Sequence, residues 1–212
     1  VVWGGQAGGR AGWAVATAGD VNGDGYSDVV VGSPLWDGGQ TDEGRVRVYH
    51  GSATGLATSP AWSWEPNQAG AQAGTSVATA GDVNGDGYSD LIVGAPYADG
   101  AYADQGAAYV FHGSASGLAA APATSLTFPE AAANFGFSVS SAGDVNGDGY
   151  SDVVVGAPGR PDVFVYHGSG GGLGSTFAWQ YLAVGTSEYD YGYRVALAGD
   201  VNGDGYSDIL FS

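Results

Sequence analysis

Apolar and polar residues alternate with a period of two in short runs along this chain, and the runs are bounded by Gly, Pro, Asn and Asp. That alternation fits strands, and no stretch sustains the 3.6-residue period of an amphipathic helix. The runs come in ordered sets. A first strand is predicted at 13–19, 76–81, 138–143 and 194–199, and a second at 29–34, 91–96, 153–158 and 209–212. A third follows at 45–51, 107–113 and 162–168. A weaker fourth falls at 61–64, 125–128 and 177–180. Enrichment in Val, Ile, Tyr and Phe with Gly and Pro punctuation supports strand throughout.

The sets recur because the sequence does. AGDVNGDGYSD occurs four times unchanged, its first Asp at Asp20, Asp82, Asp144 and Asp200, with intervals of 62, 62 and 56 residues. A second shared string appears as VYHGSATGL (48–56), VFHGSASGL (110–118) and VYHGSGGGL (165–173). Four short strands per unit fit the blade of a β-propeller, whereas solenoid units are usually shorter and a sandwich does not repeat its sequence. The expected architecture is all-β, with blades of four antiparallel strands and about three and a half blades in the chain. One segment, 1–212, holds blades at roughly 13–64, 75–128 and 137–180 and a partial blade at 193–212. The opening residues align with a fourth strand, so a strand at 1–6 is assigned to a shared or closing blade.

The loop between the first two strands presents oxygen at alternate positions. In the first unit these are Asp20, Asn22, Asp24, the Tyr26 carbonyl and Asp28. The other three loops present Asp82, Asn84, Asp86, Tyr88 and Asp90; Asp144, Asn146, Asp148, Tyr150 and Asp152; and Asp200, Asn202, Asp204, Tyr206 and Asp208. Calcium takes six to eight hard oxygen ligands in flexible geometry, and magnesium demands a tighter octahedron. Gly23 and Gly25 let the loop curl, since glycine tolerates positive φ. Three facing carboxylates repel unless a cation neutralises them. A generic Asn/Asp/Gly turn explains the composition but not three carboxylates at positions 1, 5 and 9 of every copy. An EF-hand is excluded because position 12 is Val31, Val93, Val155 or Phe211, inside a predicted strand. The expectation is one Ca2+ per loop, four per chain, in a structural role.

These units resemble the FG-GAP repeats of integrin α-subunit propellers and of many bacterial surface and secreted proteins. The Gly-Ala-Pro element stands at Gly94-Ala95-Pro96 and Gly156-Ala157-Pro158, and as Gly32-Ser33-Pro34 in the first unit. Phe-Gly is intact at Phe135-Gly136, is Tyr191-Gly192 in the fourth unit, and is reduced to Ala11-Gly12 and Ala73-Gly74 in the first two. The resemblance implies an adhesion or ligand-recognition scaffold for a protein or glycan, set extracellularly or at the cell surface. A glycan-binding lectin is the alternative it implies, and a module of a secreted polysaccharide-active enzyme the third. Related propellers usually have seven blades. The chain is therefore expected to self-associate, as in a homodimer closing a propeller, or to continue in a longer chain; closure as a four-bladed monomer is a further arrangement.

Charge narrows the partners. There are 22 acidic residues against 5 basic ones, a formal net charge of −17, and twelve of the acidic residues sit in the four loops. Without a basic patch, nucleic acid is a poor partner. No cysteine is present, so disulfides and thiolate chemistry are excluded. No run is long and apolar enough to span a membrane as a helix. With no initiating Met or basic leader, the chain is expected to be a mature or excised piece of something longer.

No residues nominate a catalytic site, and no GxSxG, HExxH or P-loop string occurs. His50, His112 and His167 occupy one repeat position and are expected to stay apart. Asp42 with Glu43, and Glu188 with Asp190, are expected to be loop charges rather than a glycosidase pair. Trp3, Trp62, Trp64 and Trp179 belong to fourth strands and are expected to pack in the core or between blades. Trp36, Tyr97, Tyr102, Tyr189, Tyr191 and Tyr193 lie in variable segments where a binding face is expected.

Overall fold

The computed structural model describes residues 5–182 and 191–212. The strand assigned to 1–6 lies largely outside them, as do Trp3, Glu188, Tyr189 and Asp190; Gly5 and Gln6 are not in a strand. Three complete four-stranded sheets form in chain order, all antiparallel. The first contains β1 (Ala14–Gly19), β2 (Asp28–Ser33), β3 (Arg45–Tyr49) and β4 (Trp62–Trp64). The second contains β5 (Ser76–Gly81), β6 (Asp90–Ala95), β7 (Ala107–Phe111) and β8 (Thr124–Thr127). The third contains β9 (Ser138–Gly143), β10 (Asp152–Ala157), β11 (Asp162–Tyr166) and β12 (Trp179–Leu182). β13 (Val195–Gly199) and β14 (Asp208–Phe211) make a two-stranded remainder.

The second strands begin one residue earlier than the sequence pattern predicts. The closing Asp of each loop already pairs with the first strand's terminal Gly, across a bulge, as Gly19 does with Asp28. They also end before Pro34, Pro96 and Pro158, which have no N–H to give a ladder. The third strands stop before the His-Gly pair, and β12 sits two residues later than the predicted 177–180.

The core lies between blades. Val30, Val46 and Val48 of the first blade pack with Leu91, Val93 and Phe111 of the second. Ile92, Ala108 and Val110 pack with Val155, Phe164 and Tyr166 of the third. Val154, Val163 and Val165 meet Ile209 and Phe211 of the partial blade. This is why β6 and β10 are buried along their whole length while β1 is half open. Fourth-strand aromatics join the same seams. Trp62 lies 4.9 Å from Phe111, and its Nε1 donates to the Ala119 carbonyl at 3.0 Å; Trp64 lies 4.9 Å from Tyr109. Trp179 rests 6.2 Å from Phe211 but stays 44% exposed.

Glycines set how closely blades approach. Gly74, of the second blade's eroded Phe-Gly pair, donates its N–H to Gly94 of its own blade at 3.0 Å. Its carbonyl oxygen would lie only 2.1 Å from a Cβ on Gly32 of the preceding blade. Gly94 meets Gly136 at 1.9 Å and Gly156 meets Gly192 at 2.1 Å in the same way. A second clasp joins each blade's entry segment to its own loop between the second and third strands. Gln6 exchanges two hydrogen bonds with the Asp37 backbone, and Gln68 does the same with Asp99. In the third blade an ion pair between Arg160 and Glu130 stands at this place.

A methyl group at Gly94 meets backbone, which cannot move aside. Gly94→Ala is expected to destabilise by about 2 kcal/mol, as overpacking does, lowering the melting temperature by several degrees. Gly39→Ala, at a position with open space around it, is expected to leave the melt unchanged. Thermal denaturation followed by circular dichroism checks both.

Candidate functional site

Each DVNGDGYSD segment folds as a tight loop between a blade's first and second strands, closed by its own side chains. Asp20 accepts from the Asp24 and Gly25 N–H groups at 3.1 and 2.8 Å. Asn22 Oδ1 accepts from the Asp24 N–H at 3.1 Å, and Asp24 Oδ1 from the Tyr26 N–H at 3.0 Å. Asn22 Nδ2 donates to Asp24 Oδ2 at 3.0 Å. Asn84 with Asp86, Asn146 with Asp148 and Asn202 with Asp204 repeat that last contact.

The ninth position differs. Asp28 is fully buried. Its Oδ2 accepts from the Val21 N–H at 3.0 Å and its Oδ1 from the Gly51 N–H at 2.9 Å. It thus ties the start of the loop to the turn after the third strand. Asp90 binds Val83 and Gly113 in the same way, and Asp152 binds Val145 and Gly168. Asp208 accepts from Val201 and is less buried.

The two ends of the loop pull acidity in opposite directions. Burial pushes the Asp90 carboxyl up to about 6; the N–H groups of Gly113 and Val83 oppose this, and the Asp86 carboxylate adds like-charge repulsion. Burial raises Asp152 as well. At the first position, the Gly205 N–H, joined by Gly203 and Asp204, holds Asp200 below the usual range. The third loop shows both shifts, with Asp144 held below the usual range and buried Asp152, beside the Asp148 carboxylate, raised.

Among the described residues, no three His, Asp or Glu side chains converge closely enough to hold a metal ion by themselves. A cation here would also draw on the Asn amide oxygen and the Tyr carbonyl. Such an all-oxygen set, holding an acid pair at positions 5 and 9, fits a hard divalent ion.

Sequence reasoning missed the serine at position 8. Ser89 grips the preceding blade's loop from both sides: its Oγ accepts from the Asp20 N–H at 3.1 Å and its own N–H donates to the Asp20 carbonyl at 3.0 Å. Ser151 holds Asp82 likewise, and the Ser207 N–H reaches the Asp144 carbonyl at 2.8 Å. Tyr88, Tyr150 and Tyr206 lie over Gly23, Gly85 and Gly147, where a Cβ would meet the ring at 2.6 Å. Each loop is thus locked to the next. The available signal was Ser in all four copies at a place with no ligand role.

The other candidates are dispersed. His50 Nδ1 lies 3.3 Å from Asn22 Nδ2, whereas His112 abuts Gly172 in the next blade. Glu43 is buried and accepts three backbone N–H groups, from Gly38, Gly39 and Gln40, so it shapes its loop. Asp42 donates its N–H to Asp37. Trp36 is covered by Arg45 at 3.1 Å, and Tyr191 packs 5.3 Å from Tyr181. Tyr102 is exposed. Tyr97 and Tyr193 line a cavity of about 780 Å³.

Comparison with known proteins agrees with this architecture. The FG-GAP repeat model matches residues 11–49 and 73–111, and an FG-GAP-like repeat model matches 144–211. Integrin alpha-PS2 of Drosophila melanogaster is 35% identical over 178 residues, covering 78% of this chain and 12% of that protein. Integrin alpha-IIb of Mus musculus is 36% identical over 154 residues, covering 69% and 15%. The chain thus spans less than a fifth of the length of these curated relatives. Among solved structures, the rhamnogalacturonan lyase YesW superposes with a TM-score of 0.58 at 18% identity, covering 93% of this chain and 40% of that one; this is a likeness of fold. With models of the repeat matching more than half its length, the chain belongs to the FG-GAP repeat family and is an integrin-α-like β-propeller segment.

Proposed function

We propose that this chain is a calcium-stabilised recognition module, holding one structural Ca2+ in each of its four loops and presenting a face to an extracellular protein or glycan. The observation that carries the reading is the ninth-position Asp, buried in three blades and, in the second and third, close enough to the acid at position 5 to be repelled by it. Such a group is costly unless a cation neutralises it. Asp20, Asn22, Asp24, the Tyr26 carbonyl and Asp28 would hold the ion in the first loop, and their counterparts in the other three. The ion would supply positive charge and close each loop against the next blade. Kinship with integrin α chains supports the recognition role.

An ion at 100 times its Kd adds about 2.7 kcal/mol per independent site. Excess EDTA is therefore expected to lower the melting temperature by well over 10 °C when four sites empty together. Terbium luminescence, sensitised by the loop tyrosines, reports occupancy directly. A melt unmoved by EDTA, with no terbium signal displaced by calcium, overturns the calcium reading. An array of extracellular proteins and glycans tests recognition: calcium-dependent capture is expected, and capture of nothing in either condition overturns that part.

The pH response separates the two states. In EDTA, the raised folded value of Asp90 favours the protonated form, so its contribution is fully present below the unfolded value of about 4. It is lost as pH rises through about 6. The melting temperature in EDTA is thus expected to rise as pH falls from 7 to 5. With saturating calcium it should fall over the same range, because protons then compete for the ligands. Calorimetry at several pH values, with and without chelator, checks the reversal.

A further inference from the structure

The identical parts of the repeat build the loops and seams. Several of the positions that differ between repeats line one cavity. It has a volume of about 780 Å³ and opens where the first strands of the blades begin, at the ends away from the DVNGDGYSD loops. That volume is in the range of small-molecule sites. The residue after each Phe-Gly-type glycine is Trp13, Thr75, Phe137 or Tyr193, and all four line it. Phe137 and Tyr193 meet edge to face at 5.3 Å.

The charge of the lining is unlike the rest of the chain. Among the described residues no Asp or Glu lines it, although the chain has 22. Of its five arginines, Arg160 pairs with Glu130 and Asp162, and Arg45 and Arg47 lie over Trp36. The remaining two, Arg10 and Arg194, both line this cavity. Arg10 sits 5.0 Å over the Trp13 ring, and Arg194 Nη1 donates to its neighbour Tyr193's carbonyl at 3.0 Å. Neither forms an ion pair among the described residues.

Neither arginine is what the scaffold asks for. Arg10 has φ 51°, and its counterparts Gln72 and Asn134 have φ 52°, so an uncharged amide suffices at that turn. Arg194 stands where Ser76 and Ser138 accept the N–H of the next first strand, at Val139 and Val195. A guanidinium fork matches a carboxylate, aromatic faces suit a ring, and Gln72, Thr75 and Ser76 add hydrogen-bonding groups for hydroxyls.

We infer that this cavity binds a carboxylated sugar, its carboxylate held by Arg10 and Arg194 and its ring against Trp13, Phe137 and Tyr193. The inference deepens the recognition reading and rests on it, but not on the loops being its ligand site.

The test is isothermal titration calorimetry of the whole chain in calcium, with trigalacturonate as probe and its methyl ester as the uncharged control. Trigalacturonate is expected to bind at least tenfold more tightly than the ester. Arg10→Gln and Arg194→Ser, each installing a residue another repeat carries, should each weaken binding about tenfold without moving the melting temperature. Trp13→Thr should weaken acid and ester alike. Equal binding of acid and ester, an unaffected double arginine variant, or no binding at millimolar probe would overturn the inference. Tighter binding of a short polyglutamate would overturn the sugar assignment in favour of an acidic peptide. These outcomes are separable from failure of the broader reading, which the array and the chelator melts measure independently.

Discussion

Two strips of backbone pass each other at every blade junction with no room for a side chain on one of them. The carbonyl of Gly74 occupies the space a methyl on Gly32 would need, and the same pairing recurs at Gly94 with Gly136 and Gly156 with Gly192. This approach fixes the distance between sheets, and the distance fixes everything packed between them. Only at that spacing do Val30 and Val46 reach Phe111, and Ile92 reach Phe164. The buried seams are therefore shared between neighbours rather than owned by single sheets, and a lone blade would leave its seam residues in water.

At the other end of the first strands, polar groups do comparable work. The position-8 serine of one loop seizes the first Asp backbone of the loop before it. The conformation of each loop is thereby coupled to its neighbour's. Within a loop, backbone N–H groups hold one carboxylate ionised while burial resists ionisation of another. The third loop carries both shifts at once, Asp144 downward and buried Asp152 upward.

Much of this was legible in the sequence because repetition amplifies weak signals. One alternating run such as 76–81 is ambiguous, but four in register at the same distance from an unchanged loop are not. Strand order, blade count and the packing role of Trp62 and Trp64 followed from that. What escaped detection was whatever depends on contacts that form only when a loop folds or repeats stack. Ser89 looks like an ordinary turn residue until it is seen against Asp20. Glu43 looks like a surface charge until three N–H groups are found on it. Arg10 and Arg194 lie far apart in the chain, and only the stacking of blades brings them to one cavity. The second strands were set one residue late because the closing Asp was counted as loop when it also belongs to the ladder.

The sameness of the junctions bears on how such a chain changes over time. A unit copied or lost between two AGDVNGDGYSD segments arrives with both halves of its glycine contact and both halves of its serine clasp. Its new neighbours already fit it. Duplication can therefore lengthen the array without a fresh interface having to evolve, and the four repeats already carry different residues, Trp13, Thr75, Phe137 and Tyr193, at one cavity-lining position.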